Sequence, residues 1–540
     1  MNGGHDVSGR GAGDERAVNA PPTIPVLVRT AAERFGDAPF LRADDGTRTF
    51  AETARRVARG AAWLRARGAA PGERVLISAG NGIATIEGWL AAVHAGAWPA
   101  AVNPALTAAE LEYVVDDLRP CIALAHADTV ELVRPVCEAR GIPVALLDDV
   151  GADARGGASR MDARDATPSA GAHDDLAPPE AAPGDVAAIV YTSGTTSRPK
   201  GALVRHLAYT GAGQSMPAWI GLSADEHLWS ILPFFHINAQ AYSLMTALAN
   251  GYRLTVGAKF RASTFWRDAA ALGVTEVNVI GAMVAILARQ PAEAFVPGSL
   301  RTLYAAPALE PDENRALEQR FGLRIVTGFG MSENTFGTVE SATSRAKRSS
   351  IGRPRVHPGG AVPNEIRIVS PEGEVRPREA VGELQFRNAA LTPGYWNAPE
   401  ITARTLRDGW LRTGDAGYVD DDGDVVLVGR YKEMIRRRGE NIAPREVEDA
   451  LELHPGVQQA AVVGVPSALS EEDVVGAVIR APGASVGEDE LRAWCAERLA
   501  PYKIPLRVLF VQAFPLTATM RVAKERLKAE LVPLLAEASR

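Results

Sequence analysis

Residues 191–201 read Tyr-Thr-Ser-Gly-Thr-Thr-Ser-Arg-Pro-Lys-Gly. Five Ser/Thr hydroxyls, two glycines, one proline and two cations share this short run. Such a loop suits a polyphosphate. Gly194 lets backbone N–H groups approach oxygens closely. Thr192, Ser193, Thr195 and Thr196 offer hydroxyl donors, and Lys200 is a point charge suited to phosphate. The apolar run Val186 to Val190 predicts a strand before the loop, and Ala202 to Thr210 a helix after it. The spacing is not that of a P-loop, which needs Gly-Lys-Ser/Thr after four residues. Taken alone, a Ser/Thr-rich surface turn is the competing explanation.

A second run, Thr327-Gly-Phe-Gly-Met-Ser-Glu333, combines different chemistry. Phe329 can stack on a purine, and Gly330 keeps the backbone tight beside a flat ring. Ser332 can donate to a phosphate. Glu333 can hold a hard cation, since magnesium prefers oxygen ligands and bridges phosphates. The bland alternative is a Gly-rich strand-to-helix turn with a capping serine. A third run, Trp410-Leu-Arg-Thr-Gly-Asp415, ends on a carboxylate with two acceptor oxygens.

In type and order these motifs resemble the adenylate-forming superfamily of acyl-CoA ligases, peptide-synthetase adenylation domains and luciferases. The phosphate loop departs from the usual form only in Ser197, where glycine is common. The resemblance covers roughly residues 25–530 and implies ATP, Mg2+ and CoA as cofactors and a small carboxylic acid as substrate. It implies a ribose contact for Asp415 and a second for Arg430. Ala306 falls in the adenine-contact segment Tyr304-Ala-Ala-Pro-Ala308, and Thr196 joins Glu333 as a metal contact. By the same resemblance Pro233-Phe-Phe-His236-Ile-Asn238 lines the acyl pocket, with His236 near the reacting carboxylate. Asn238, Gly281, Met283, Ala305 and Asn334 complete that pocket. Gly439, in Arg436-Arg-Arg-Gly-Glu-Asn-Ile442, borders the pantetheine tunnel, and the arginines meet CoA phosphates. The wording of that run resembles crotonobetaine/carnitine-CoA ligase-like members.

One position breaks the pattern. The family's catalytic-lysine segment usually centres on Thr-Gly-Lys, whereas this chain has Thr519-Met520-Arg521. Guanidinium keeps the charge but is planar and never neutral, and ammonium is a compact point charge. Three readings stand: Arg521 does the lysine's job, Lys524 reaches in from three residues on, or adenylation is lost. The first is favoured, because the ATP motifs are otherwise intact. Transfer to a carrier-protein thiol or a nitrogen nucleophile, and a non-catalytic nucleotide- or acyl-binding relative, are the alternatives to CoA ligation.

The elements that must position these residues are legible too. The chain has 540 residues, 46% hydrophobic, with a net charge of −7. Its length exceeds one simple core. Its charge argues against a nucleic-acid surface or a polybasic membrane anchor. Cys121, Cys137 and Cys495 are too scattered for a disulfide framework, which fits a reducing cytoplasm. No signal peptide is evident, and the uncharged stretch Gly88 to Ala109 is broken by His94, Pro99, Asn103 and Pro104. Residues 1–20 are expected to be disordered, and 151–184 a flexible insertion. Alternating strands and helices from Arg74 onward imply a mostly parallel sheet covered on both faces. Short alternating runs after Gly360 imply antiparallel strands. The expected fold is α/β. A large N-terminal domain (21–428) of layered sheets and helices carries a small β-rich subdomain. A hinge (429–432), pivoting on Lys432, leads to a small α+β lid (433–540).

Overall fold

The computed structural model describes residues 21–151, 180–192, 199–306, 311–341, 345, 347, 349–430, 433–437, 440–467, 472–516 and 522–538. The first α/β unit builds a four-stranded parallel sheet in the order Trp98–Val102, Arg74–Ser78, Ile122–Ala125, Val144–Leu146. Its strands are buried on both faces. Val75, Ile77 and Leu124 point into one core, and Leu76, Ala100 and Ala123 into another. Helix Ala108–Leu118 starts at a capping box. Thr107 Oγ1 accepts from Glu110 N, and Glu110 Oε2 accepts from Thr107 N.

The second sheet has 14 strands. Its parallel part places His227–Ser230, Glu276–Ile280, Thr302–Ala306 and Arg324–Met331 side by side. At Arg324–Met331 the sheet turns antiparallel and runs on through Asn334–Val339 and Ser350–Pro354. The β-rich subdomain is therefore hydrogen-bonded to the parallel sheet as its continuation. Asp420–Gly423 makes the tight turn between Trp410–Val419 and Val425–Arg430. Lys347 ion-pairs with Asp420, Asp422 and Asp424, which satisfies the carboxylates of this turn.

The C-terminal residues form a separate three-stranded sheet, Val457–Pro466, Glu472–Arg480 and Arg507–Phe510. Helices Pro444–Glu452 and Glu488–Ala496 cover one face with Val447, Leu451 and Leu491. Helix Lys524–Ala538 covers the other with Leu527 and Leu531. No helix among the described residues is long and apolar enough to cross a membrane.

Candidate active site

The phosphate-loop run is carried on a β-hairpin. Val186–Thr192 pairs antiparallel with Lys200–Arg205, in register from Ala188↔Val204 to Thr192↔Lys200 after a shift at Val186↔Arg205. The expected helix from Ala202 is thus corrected to a strand, and helix begins only at His206. The reason is the two-residue period. Ala202 and Val204 are buried, while Leu203 and Arg205 are half-buried. Ser193, Gly194, Thr195 and Thr196 lie outside the described residues, but both ends of their loop are fixed. Tyr113 donates to Pro199 O at 3.1 Å, and Tyr191 donates to Asp117 Oδ2 at 2.7 Å. Thr192 and Lys200 close the hairpin as half-buried side chains, and no described residue pairs with the Lys200 ammonium.

Ser332 and Glu333 are the two central residues of a second hairpin turn, because Met331 pairs with Asn334. The competing strand-to-helix turn does not occur here. Phe329 stacks one face on Phe386, with centroids 6.1 Å apart and planes at 13°. The neighbouring glycines have a packing reason. A Cβ at Gly328 would sit 2.4 Å from Arg355 Nη2, and one at Gly330 2.7 Å from Tyr242 Oη. Glu333 is only 6% exposed. Its Oε1 accepts from the Tyr395 hydroxyl at 2.6 Å. Burial, and then the Glu333 charge, push the Tyr395 phenol well above its ordinary pKa, so it remains a donor.

One strap joins the two hairpins. Thr392 N donates to Glu333 O at 2.9 Å, and Thr392 Oγ1 donates to Leu203 O at 2.7 Å. Tyr395 bridges Ala202 through the backbone, and Trp396 N donates to Gly201 O at 2.8 Å. The segment from Thr392 to Trp396 therefore holds Lys200 and Glu333 on neighbouring elements.

Asp415 sits inside strand Trp410–Val419 rather than in a turn. The ladder to Gly382–Arg387 is irregular here, and Gly414 has φ +72° in the left-handed region. Such a bulge re-aims the next side chain. Arg430 is the direct cross-strand partner of Asp415, and its Nε lies 3.0 Å from Asp415 Oδ1. The two residues expected to share a ribose are thus already paired.

On the acyl side, His236 is half-buried with its ring 4.4 Å from that of Phe235. Asn238 opens a π-helical segment, Asn238–Leu244, a form that recurs at functional sites. Asn238 Oδ1 and Asn334 Nδ2 are buried, and among the described residues neither has a hydrogen-bond partner. Gly281 and Met283 begin helix Gly281–Ala288 and are half-buried. Ala305 packs into the core formed by Val277, Val279 and Leu287. Tyr304, one residue earlier, packs into the opposite core with Tyr242. The structure therefore turns the Ala305 side chain away from the face of Tyr242. Ala306 is the half-exposed end of the same strand.

Gly439, Lys432 and Arg521 lie outside the described residues. Two neighbouring expectations are corrected. Arg437 is engaged within its own domain, donating to Tyr502 O at 2.9 Å and Ile504 O at 3.1 Å. It also pairs with Asp473 at 3.4 Å, so it is not available to a CoA phosphate. Lys524 pairs with Glu448 at 2.7 Å and Glu433 at 3.2 Å. It is a tether between the end helix and the domain, neither a reaching catalytic group nor a loose surface residue.

Sequence reasoning missed Tyr395, Tyr304, Tyr242 and Arg355. Tyr395 had no motif around it, because its role comes from chain crossing 62 residues after Glu333. Arg355 looked like any charged residue of a loop, yet it is 1% exposed.

A model of the AMP-binding enzyme family matches residues 28–396, and one of the AMP-binding enzyme C-terminal domain matches 446–521. Sulfoacetate–CoA ligase of Cupriavidus necator is 32% identical over 513 residues, covering 94% of this chain and 97% of that protein. ATP-bound MatB from Rhodopseudomonas palustris shares the fold with a TM-score of 0.83 at 26% identity, covering 94% of this chain and 99% of that one. The amide bond synthetase McbA from Marinactinospora thermotolerans gives 0.82 at 26% identity over the same shares of the two chains. The first model alone spans more than half of the chain, from its N-terminal α/β unit through the phosphate hairpin to the Thr392–Trp396 strap, and this chain belongs to the AMP-binding enzyme family.

Proposed function

We propose that this chain is an AMP-forming acid–thiol ligase that activates a small carboxylic acid with ATP and transfers the acyl group to CoA. The observation that carries this reading is the strap from Thr392 to Trp396, which fixes the Lys200 hairpin beside the buried Glu333 turn. In the first step a carboxylate oxygen attacks the α-phosphorus of ATP. The bond to the β-phosphate oxygen breaks, and pyrophosphate leaves. Thr192, Ser193, Gly194, Thr195, Thr196 and Lys200 hold the leaving polyphosphate. Phe329, Gly330 and Ala306 bound the adenine, Ser332 donates to a phosphate, and the Asp415–Arg430 pair takes the ribose hydroxyls. His236 and Arg521 flank the carboxylate, and the fixed guanidinium of Arg521 offsets charge on the phosphorane.

A buried carboxylate with one phenol donor fits a hard cation that keeps phosphate and water ligands. Glu333 and Thr196 would hold Mg2+, whose charge neutralises the polyphosphate when bound. In the second step the thiol sulfur of CoA attacks the acyl carbon and AMP leaves. The C-terminal unit, 433–540, turns about Lys432 in the 429–432 hinge to bring Gly439 to the thiol. The free thiols Cys121, Cys137 and Cys495 suit a reducing cytoplasm. Arg436 is exposed, and we assign it to the CoA phosphates.

A nitrogen nucleophile in place of the thiol is the second reading, favoured by the likeness to an amide bond synthetase. The test is to supply Mg-ATP, a panel of short and aromatic acids, and either CoA or simple amines. Mass spectrometry then follows acyl-CoA, amide and AMP. Acyl-CoA formed in step with AMP supports the ligase. Amide without acyl-CoA supports the second reading, and no AMP with any acid contradicts both.

A further inference from the structure

Arg355 is among the largest fully buried side chains of the chain, at 1% exposed. It follows the strand Ser350–Pro354 and points inward beneath the Gly328–Gly330 run. An interior guanidinium is normally compensated by a carboxylate, because a lone buried charge is strongly destabilising. Among the described residues no carboxylate pairs with Arg355. Its Nη1 donates to Tyr242 Oη at 3.0 Å and to Thr335 O at 3.2 Å, and its Nη2 contacts Tyr304 Oη. Trp219, Tyr242 and Tyr304 surround the head, with centroids 5.0, 5.1 and 5.4 Å from Cζ. Their π-faces attract the cation but do not neutralise it. Three contacts leave two of the five guanidinium N–H donors without a described acceptor. Nε is one of them.

The elements around Arg355 are those that the sequence assigns to the acyl pocket. Tyr242 lies on the π-helical segment opened by Asn238. Thr335 follows Asn334, and Tyr304 precedes Ala305 and Ala306 on one strand. Asn334 is 0% exposed, and its Nδ2 is a second buried donor with no acceptor among the described residues. Its Oδ1 is already used by Phe336 N and Asn388 Nδ2, at 3.1 and 3.2 Å. Two buried donors on these elements, one of them cationic, call for an anionic acceptor.

We propose that Arg355 sets substrate specificity by holding the distal anionic group, a carboxylate or a sulfonate, of a short acid that carries a second charge. Asn334 Nδ2 supplies the accompanying neutral donor. The first carboxylate then faces the nucleotide, and the second sits at the closed end of the pocket. A planar fork suits two oxygens of either group. This reading rests on the acid-activating role proposed above but has its own readout in binding.

The experiment uses the full-length chain. Isothermal titration compares malonate, succinate and sulfoacetate with propionate and butyrate, for wild type, Arg355→Lys and Arg355→Met. Pyrophosphate release from Mg-ATP is measured with the same acids. We expect the doubly charged acids to bind at least about 10-fold more tightly than the singly charged ones. Succinate against sulfoacetate distinguishes the two head groups. In Arg355→Met we expect KM for the preferred acid to rise at least about 100-fold, because a site built for a polar group rejects its loss strongly. The kcat for propionate should change far less. Arg355→Lys should retain part of the preference. Equal binding of the two acid classes by wild type overturns the proposal, as does a preference that survives in folded Arg355→Met. If Arg355→Met does not fold, the wild-type preference and the Arg355→Lys comparison decide. Preferential binding without pyrophosphate release would leave Arg355 in its role and remove the ligase reading instead.

Discussion

At the scale of single residues, Glu333 depends on one neighbour. Its carboxylate is buried, and the Tyr395 hydroxyl orients it through a 2.6 Å hydrogen bond. Partners of this kind tune metal ligands and typically affect metal affinity by about 10- to 100-fold. Tyr395→Phe should therefore raise the Mg2+ concentration needed for half-maximal pyrophosphate release by about that factor, with little effect on the KM for the acid. A Mg2+ titration checks this, and an unchanged requirement would separate Glu333 from the metal. The carriers of side-chain chemistry were legible because each needs specific atoms near others in sequence: hydroxyls and Lys200 in one run, Phe329 to Glu333 in another. Tyr395 and Arg355 were not, since their value lies in burial and in contacts made far along the chain.

At the scale of elements, the local period decided what could be read. Strand Arg74–Ser78 begins the alternation of strands and helices expected from Arg74 onward, and helix Ala108–Leu118, opened by its own capping box, continues it. The stretch after Gly201 looked helical because it continues into helix His206–Ile220. Its first residues are strand only because Val186–Thr192 is there to pair with. The start of that helix also anchors helix Ile24–Phe35. Ile24 N donates to His206 Nδ1 at 3.2 Å, and His206 is 4% exposed. Burial lowers the His206 pKa to about 4, and His227 is lowered likewise to about 4. The unfolded imidazole binds a proton near pH 6.5 while the folded one does not until about pH 4. Stability is thus complete above pH 6.5 and lost as the pH falls from 6.5 towards 4. The full excursion for His206 is on the order of 3 kcal/mol. Urea unfolding at pH 7.5 and 4.5 should show a smaller loss in His206→Asn than in wild type. An equal loss would mean that the imidazole is not held neutral.

At the scale of the whole molecule, the family's two-part architecture was readable from motif order and from the change of pattern near Gly429. The continuity of the 14-stranded sheet was not, because edge-to-edge pairing of distant strands leaves no mark in local sequence. The small C-terminal unit is held together by its own pairs, such as Lys524 with Glu448 and Arg437 with Asp473, which suits a body that moves as one. Fixing the backbone at the proposed pivot with Lys432→Pro should slow acyl transfer to CoA by at least about 10-fold while sparing the first pyrophosphate burst. Rapid-quench measurement of both products checks this, and equal slowing of the two steps would remove Lys432 as the pivot. The central claim, that this chain forms an acyl-adenylate with arginine in the lysine position, is tested most directly by acid-dependent pyrophosphate release from Mg-ATP without CoA. Wild type, Arg521→Lys and Arg521→Ala are compared. Release by wild type, retained in Arg521→Lys and reduced at least about 100-fold in Arg521→Ala, is the predicted result. Silence in wild type with activity in Arg521→Lys would contradict the account.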